Sequence, residues 1–384
     1  MRLLITSLVV LSAFAQTAPS PAEVSIRKAQ AEIAKQPGHA PYYNALAMAY
    51  ARRAREISDT AFYDKAEEAL KKSMELAPGN YEALKTRAWL MLGRHEFGQA
   101  LELATKLNKQ NPDDLAVYGY LADAHVELGN YKAAVEATQW MLNLRAGNTA
   151  GLTRAAYLRE LHGDLSGAME LMQRAYDSTA FQESEERAWY LTQIAHLHLL
   201  GGNVEKAELY ANGALGLFPN YHYALGALAK VRQAQARHAD AALLLEKRYQ
   251  AAPHAENLFA LAAALHSAGK KAEAGRAFAR FEKLALGEAE TADNANHELI
   301  AYYLDYAGKP AEGLRIAAKE IARRQDVSTL DAYAWALAAN GELQQADAQI
   351  RRALAIGVKD PQILRHASSI QARLRARPAQ TASR

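Results

Sequence analysis

Along Tyr118–Asn148, apolar and small residues recur at steps of three and four. Tyr118, Leu121, Ala122 and His125 fall on one helical stripe, and Tyr131, Ala134, Thr138 and Met141 fall on a second. This period predicts two amphipathic helices. The pair Gly129-Asn130 separates them, and both residue types tolerate the positive φ of a tight turn. The unit is therefore a helix hairpin.

The same pattern returns along the chain. The first-helix alanine Ala122 has equivalents at Ala47, Ala88, Ala156, Ala195, Ala229, Ala262, Ala301 and Ala334. The second-helix alanine Ala134 has equivalents at Ala66, Ala100, Ala168, Ala207, Ala241, Ala274 and Ala346, with Gly313 in the remaining place. Helices that cross at about 8–10 Å need small side chains where they approach, and larger ones overpack the contact. The pairs Gly163-Asp164, Gly202-Asn203 and Gly341-Glu342 stand where Gly129-Asn130 stands, and Pro78, Pro112, Pro219 and Pro253 follow second helices. Proline there cannot continue a helix.

A hairpin of this spacing resembles the tetratricopeptide repeat, whose period is about 34 residues. The resemblance implies an all-α fold, a right-handed superhelical solenoid of antiparallel helix pairs. About nine repeats span 41–359, between an N-terminal linker and capping helix (16–40) and a C-terminal capping helix (360–374). Residues 375–384 are small and polar and read as a disordered tail. Ends of a solenoid need caps to cover an open apolar face.

Three places break the period. Ala47 and Ala66 are nineteen residues apart, where later repeats have twelve, so Arg52–Asp59 extends the first helix before a turn near Ser58-Asp59. Spacings of thirty-nine fall at Ser178–Glu186 and Leu286–Asn296, both polar. Glu183, Glu185 and Glu186 in the first of these read as a solvated loop leading into a helix, since acidic residues favour a first turn.

Composition changes little. The 384 residues are 50% hydrophobic with a net charge of +3, which makes no case for nucleic acid or an anionic membrane. The chain has no cysteine, which excludes disulfides, thiolate zinc sites and thiol catalysis. Met1–Ala15 has Arg2, an apolar run Leu3–Leu11 and the small-x-small end Ala13-Phe14-Ala15. It resembles a secretory signal peptide, with Gln16 as the expected mature start and a periplasmic or secreted location. The run is short of the roughly 20 residues that span a bilayer, so no stable membrane insertion is expected after cleavage.

No catalytic, cofactor or metal site is legible, and an enzyme is not expected. His297-Glu298 opens HELIA, but Ala301 stands where a second zinc ligand is needed. His196 and His198 point to different faces, and His198 occupies the core place of Tyr50. Phosphate loops, dinucleotide fingerprints and nucleophile elbows are all missing from the sequence.

The resemblance implies a binding scaffold, with a peptide or protein segment in the concave groove. In such a superhelix the residue after each first-helix alanine, and the residue four before it, tend to face that groove. The first set includes Trp89, Asp123, Tyr157, His196, Lys230, Tyr302 and Trp335, with Trp189 on the same face. Trp89, Tyr157, Tyr302 and Trp335 are the expected anchors. Lys85, Asp123, Lys230, Glu298, Asp305 and Asp331 supply polar selection around them. Asn44, Met48, Lys85, Trp89, Gly119 and Asp123 do not match the family's carboxylate-binding clamp, so that specificity is not carried over. The competing readings are a self-assembling structural solenoid and a helical-repeat nucleic-acid binder, the latter opposed by the weak charge and the export segment.

Overall fold

The computed structural model describes residues 19–57 and 59–376. The expected signal segment and all but the start of the expected tail lie outside these residues. Every described element is helical.

The first helix, α1 (Pro21–Lys35), is a cap. Ser20 and Glu23 form a reciprocal capping box at its start, which satisfies two otherwise free backbone donors. Glu56 pins α1 to the next helix, accepting from the Ala22 backbone N–H at 3.1 Å and from Arg53 at 3.1 Å. Nine pairs follow. They are α2 (Ala40–Ile57) with α3 (Ala61–Leu76), α4 (Tyr81–Gly93) with α5 (Phe97–Gln110), and α6 (Leu115–Glu127) with α7 (Tyr131–Leu144). Then come α8 (Thr149–Leu161) with α9 (Leu165–Ser178), α10 (Ser184–Leu200) with α11 (Val204–Leu217), and α12 (His222–Ala234) with α13 (His238–Ala251). The last three are α14 (Ala255–Ser267) with α15 (Lys271–Glu288), α16 (Asn296–Ala301) with α17 (Pro310–Arg323), and α18 (Val327–Ala339) with α19 (Leu343–Leu354). The closing cap is α20 (Pro361–Ala376), so helix takes in Arg375 and Ala376, which the sequence reading had placed in the tail.

The alanine register is the packing register. Apart from Ala301, every repeat alanine is between 0% and 2% exposed. Ala301 is half-buried because the α-helix gives way there to a π turn over Tyr302–Tyr306. That turn explains Gly313 as well. A Cβ on Gly313 would lie 2.8 Å from Leu304 Cδ2, so even alanine crowds the crossing. Helix starts are set locally. Asn80, Asp114, Asn148 and Asp326 each accept from backbone N–H groups in the turn they open.

The superhelix closes on itself. The α6–α7 turn meets the α17–α18 loop, where the Gln325 N–H donates to the Glu127 carbonyl at 2.9 Å. Arg324 lies 3.5 Å from the Glu127 carboxylate. One repeat further on, Gly163 of the α8–α9 turn faces Gly357 and Lys359 of the α19–α20 loop. One repeat earlier, His95 stands 3.7 Å from Asp293. Val126, Leu158 and Leu161 share an apolar cluster with Val327, Leu330 and Ile363. Successive superhelical turns therefore touch along a seam.

The three breaks in the period serve these contacts. The long α2 carries Arg52 and Arg55 to Glu183 (2.7 Å) and Glu185 (2.6 Å) at the start of the long α10. The two insertions thus bind each other, and the third supplies Asp293. Glu185 is 0% exposed and also accepts from the Tyr221 hydroxyl at 2.7 Å. The expectation of a solvated acidic loop is corrected here. A carboxylate with two such partners is worth burying, whereas an unpaired one is not.

A walled hollow as candidate functional site

Trp89 on α4, Asp123 on α6, Tyr157 on α8 and Trp189 on α10 line one cavity of about 640 Å³. This lies in the range of about 300–1,000 Å³ usual for ligand sites. Trp89, Asp123 and Tyr157 each follow the register alanine of consecutive first helices, and Trp189 lies seven residues, about two helical turns, before the equivalent place on α10, His196, so all four share a face. The opposite wall comes from elsewhere in the superhelix. Arg55 and Ala51 arrive from α2, and Arg324 arrives from the α17–α18 loop. Closure of the superhelix turns an open groove into a walled hollow.

The polar groups of the wall are mostly partnered. Arg154 donates through Nε to Asp123 Oδ1 at 2.8 Å and to the Gly119 carbonyl at 3.1 Å. Gly119 makes room for this, since a Cβ there would lie 3.1 Å from Arg154 Cζ. Glu160 accepts from or shares a proton with His196 Nε2 at 2.9 Å. The Tyr190 hydroxyl donates to Glu186.

Exposure and enclosure differ in the hollow. Tyr157 is 42% exposed, yet burial and then the carboxylates of Glu127 and Glu160 hold its hydroxyl well above the ordinary value. Burial and then Asp326 push Glu127 up to about 7, against the pull of Arg324. A carboxyl raised in the folded state stabilises fully below its unfolded pKa near 4.5 and loses that contribution as pH rises through about 7. Glu127→Gln mimics the protonated form. It should raise stability by about 1 kcal/mol at pH 8 and leave it unchanged near pH 4, read by urea unfolding at both pH values. A variant less stable at pH 8 would show that the Arg324 pair outweighs burial.

The other expected site residues lie elsewhere. Asp305, Asp331 and Trp335 line a separate cavity of about 180 Å³. There the His366 ring from the cap α20 stacks on Trp335 at 4.3 Å, and Trp335 Nε1 donates to Asp305 at 3.1 Å. Asp331 is 4% exposed and pairs with His366 at 2.9 Å. Trp335 is therefore half-buried against the cap and lines this second cavity. Tyr302 stacks on Phe278 of α15 at 5.1 Å and lines neither cavity. The π turn begins at Tyr302 and breaks the face that the alanine register predicts. Lys85 lines neither cavity and pairs with Asp114 and Glu82, both at 2.9 Å. Lys230 and Glu298 also lie outside both linings. Burial lowers Lys230, and burial followed by Glu256 raises Glu298 to about 7. The expected row of anchors is thus divided: Trp89, Tyr157 and Trp189 line one cavity, Trp335 lines the second, and Tyr302 lines neither.

Arg55, Arg154, Arg324, Glu127 and Glu160 are not singled out by the sequence, and Glu186, expected in a solvated loop, lines the cavity. Arg154, Tyr157 and Glu160 do form an i, i+3, i+6 stripe on α8, a signal that was available. Arg55 and Arg324 come from an insertion and a loop, whose positions depend on closure. No group of three or more metal-ligating side chains occurs among the described residues. Among them, no helix is long and apolar enough to cross a membrane.

A tetratricopeptide repeat family model matches residues 91–143, from the end of α4 through most of α7. No curated protein matches the chain. Among solved structures, a human IFIT1 dimer with m7Gppp-AAAA is 13% identical, with a TM-score of 0.51 over 86% of this chain and 85% of that one. A chain of the APC/C hetero-tetramer Cut9-Hcn1 is 11% identical with a TM-score of 0.49 over 85% of this chain. This chain spans 55% of that one's length. A tetratricopeptide repeat protein from Parabacteroides merdae is 17% identical with a TM-score of 0.44, covering 62% of this chain and 93% of its own. At such identities the likeness concerns fold alone.

Proposed function

Because the chain belongs to the tetratricopeptide repeat family, whose folds generally mediate protein–protein interactions, we propose that it is a non-enzymatic scaffold holding a short segment of a partner protein in its walled hollow. The observation that carries this reading is the convergence of Trp89, Tyr157 and Trp189, from three repeats, on one cavity. Large amphipathic rings in a partly desolvated recess are the usual anchors of a recognition site. The cavity has room for a few residues of chain, not for a domain.

Human IFIT1 is seen with m7Gppp-AAAA, and a nucleic acid is the competing occupant. The lining opposes it, with carboxylates at Asp123, Glu127, Glu160 and Glu186 against guanidiniums at Arg55, Arg154 and Arg324. Polyanions bind where cations dominate.

Affinity capture of the partner with wild-type protein and with Trp89→Ala and Trp189→Ala variants tests the reading. Each variant should weaken capture by about tenfold, measured at a temperature where its circular-dichroism melt shows it still folded, since both rings also pack on the core. Undiminished capture by both variants would place the binding surface elsewhere. We also propose export, on the strength of Arg2, the apolar run and Ala13-Phe14-Ala15. Protein isolated from its natural source should begin at or near Gln16, and recovery of intact Met1–Ala15 from the mature form would refute this.

A further inference from the structure

The hollow's charges do not cancel. Each guanidinium in its wall is already committed. Arg55 pairs with Glu185 at 2.6 Å and Arg154 with Asp123 at 2.8 Å. Arg324 lies between Glu127 at 3.5 Å and Asp326 at 3.8 Å. Two carboxylates of the wall have no permanently charged partner. Glu160 meets an imidazole, that of His196, and Glu186 meets a phenol, that of Tyr190. Lys230 acts on Glu160 only at long range.

These two carboxylates line the same cavity as Trp89, Tyr157 and Trp189. Aromatic faces attract ammonium and guanidinium groups, and a carboxylate adds a charge-assisted hydrogen bond. An acidic segment would meet repulsion, and a purely apolar one would leave the carboxylates desolvated without compensation.

Resting on the reading of the hollow as a segment-binding site, we propose that the bound segment is basic, with a lysine or arginine side chain seated among the aromatic rings and the carboxylates of Glu160 and Glu186. The positive group of the partner supplies the charge that the wall lacks. Specificity then comes partly from exclusion, since acidic segments are turned away.

Fluorescence anisotropy with two labelled peptides tests this, one of alternating alanine and lysine and one of alternating alanine and glutamate. Polyadenylate RNA serves as a third probe. The lysine peptide should bind at least about tenfold more tightly than the glutamate peptide at low salt, and the preference should shrink as salt rises. The double variant Glu160→Gln, Glu186→Gln should abolish the preference while keeping the circular-dichroism melt. If that variant fails to fold, the wild-type preference and its salt dependence decide. Equal binding of the two peptides overturns the basic preference and leaves segment binding standing. Failure of both peptides to bind overturns both. A lysine preference that survives in the folded double variant, or tighter binding of the RNA, also overturns the proposal.

Discussion

Gly163→Ala is expected to cost about 3 kcal/mol and to loosen the closed superhelix, while Gly202→Ala costs only about 1 kcal/mol. The two glycines occupy the same place in their hairpins, with φ of 77° and 76°. Both substitutions therefore force an L side chain into the left-handed region. They differ in what the new methyl meets. At Gly202 nothing lies within 4 Å. At Gly163 the Cβ would stand 2.6 Å from the Gly357 carbonyl oxygen and 2.9 Å from Lys359 Cε. The lysine end can move, but the backbone of the next superhelical turn cannot do so alone. Gly129 repeats the situation, with Gln325 O at 2.8 Å, and Gly129→Ala should behave like Gly163→Ala. Chemical unfolding gives the energies, and small-angle X-ray scattering gives the expansion. Equal costs at Gly163 and Gly202 would mean that the seam does not hold the turns together.

Glu185→Ala should destabilise by about 3 kcal/mol. Two interactions are lost, and they are unequal. The Arg55 side chain is 41% exposed, so solvent already screens much of that pair. Tyr221 is 0% exposed and its hydroxyl donates to Glu185 at 2.7 Å. Truncation leaves that hydroxyl buried with no acceptor, and this term dominates. Glu185→Gln keeps an acceptor for the tyrosine and should recover about half of the loss. A urea midpoint for Glu185→Ala no lower than that of an exposed-acid control, Glu102→Ala, would show that the buried cluster contributes nothing.

The parts of the fold legible in the sequence were those written at steps of three and four. The alanine register, the Gly-Asn and Gly-Asp turns and the long first helix all follow from short-range periodicity, and each reappears in the structure. The places where the period broke were also legible, but their purpose was not. Arg55 meets Glu185 across 130 positions, and Arg324 meets Glu127 across 197, and no local pattern records such a meeting. The candidate site was half legible for the same reason. Trp89, Asp123 and Tyr157 occupy equivalent places in consecutive repeats and Trp189 lies on the same face of the next, whereas Arg55 comes from an insertion and Arg324 from a distant loop. Trp335 and Tyr302 lie outside the hollow for two different local reasons. His366 of the cap covers the first, and the π turn rotates the second towards Phe278.

The seam also bears on how the molecule assembles itself. An open array of hairpins can nucleate anywhere and grow by neighbour contacts, so its folding is a series of short loop closures. Here the bond from Gln325 N–H to the Glu127 carbonyl ties together residues separated by about half of the 384-residue chain. Such a closure raises contact order and slows the final step. During synthesis the α6–α7 and α8–α9 turns emerge well before their partners, and the edge they present stays uncovered until the last two hairpins leave the ribosome. The chain thus propagates like a ladder and finishes like a ring, with a late concerted docking that sets both the slowest folding phase and the resistance of its ends to fraying.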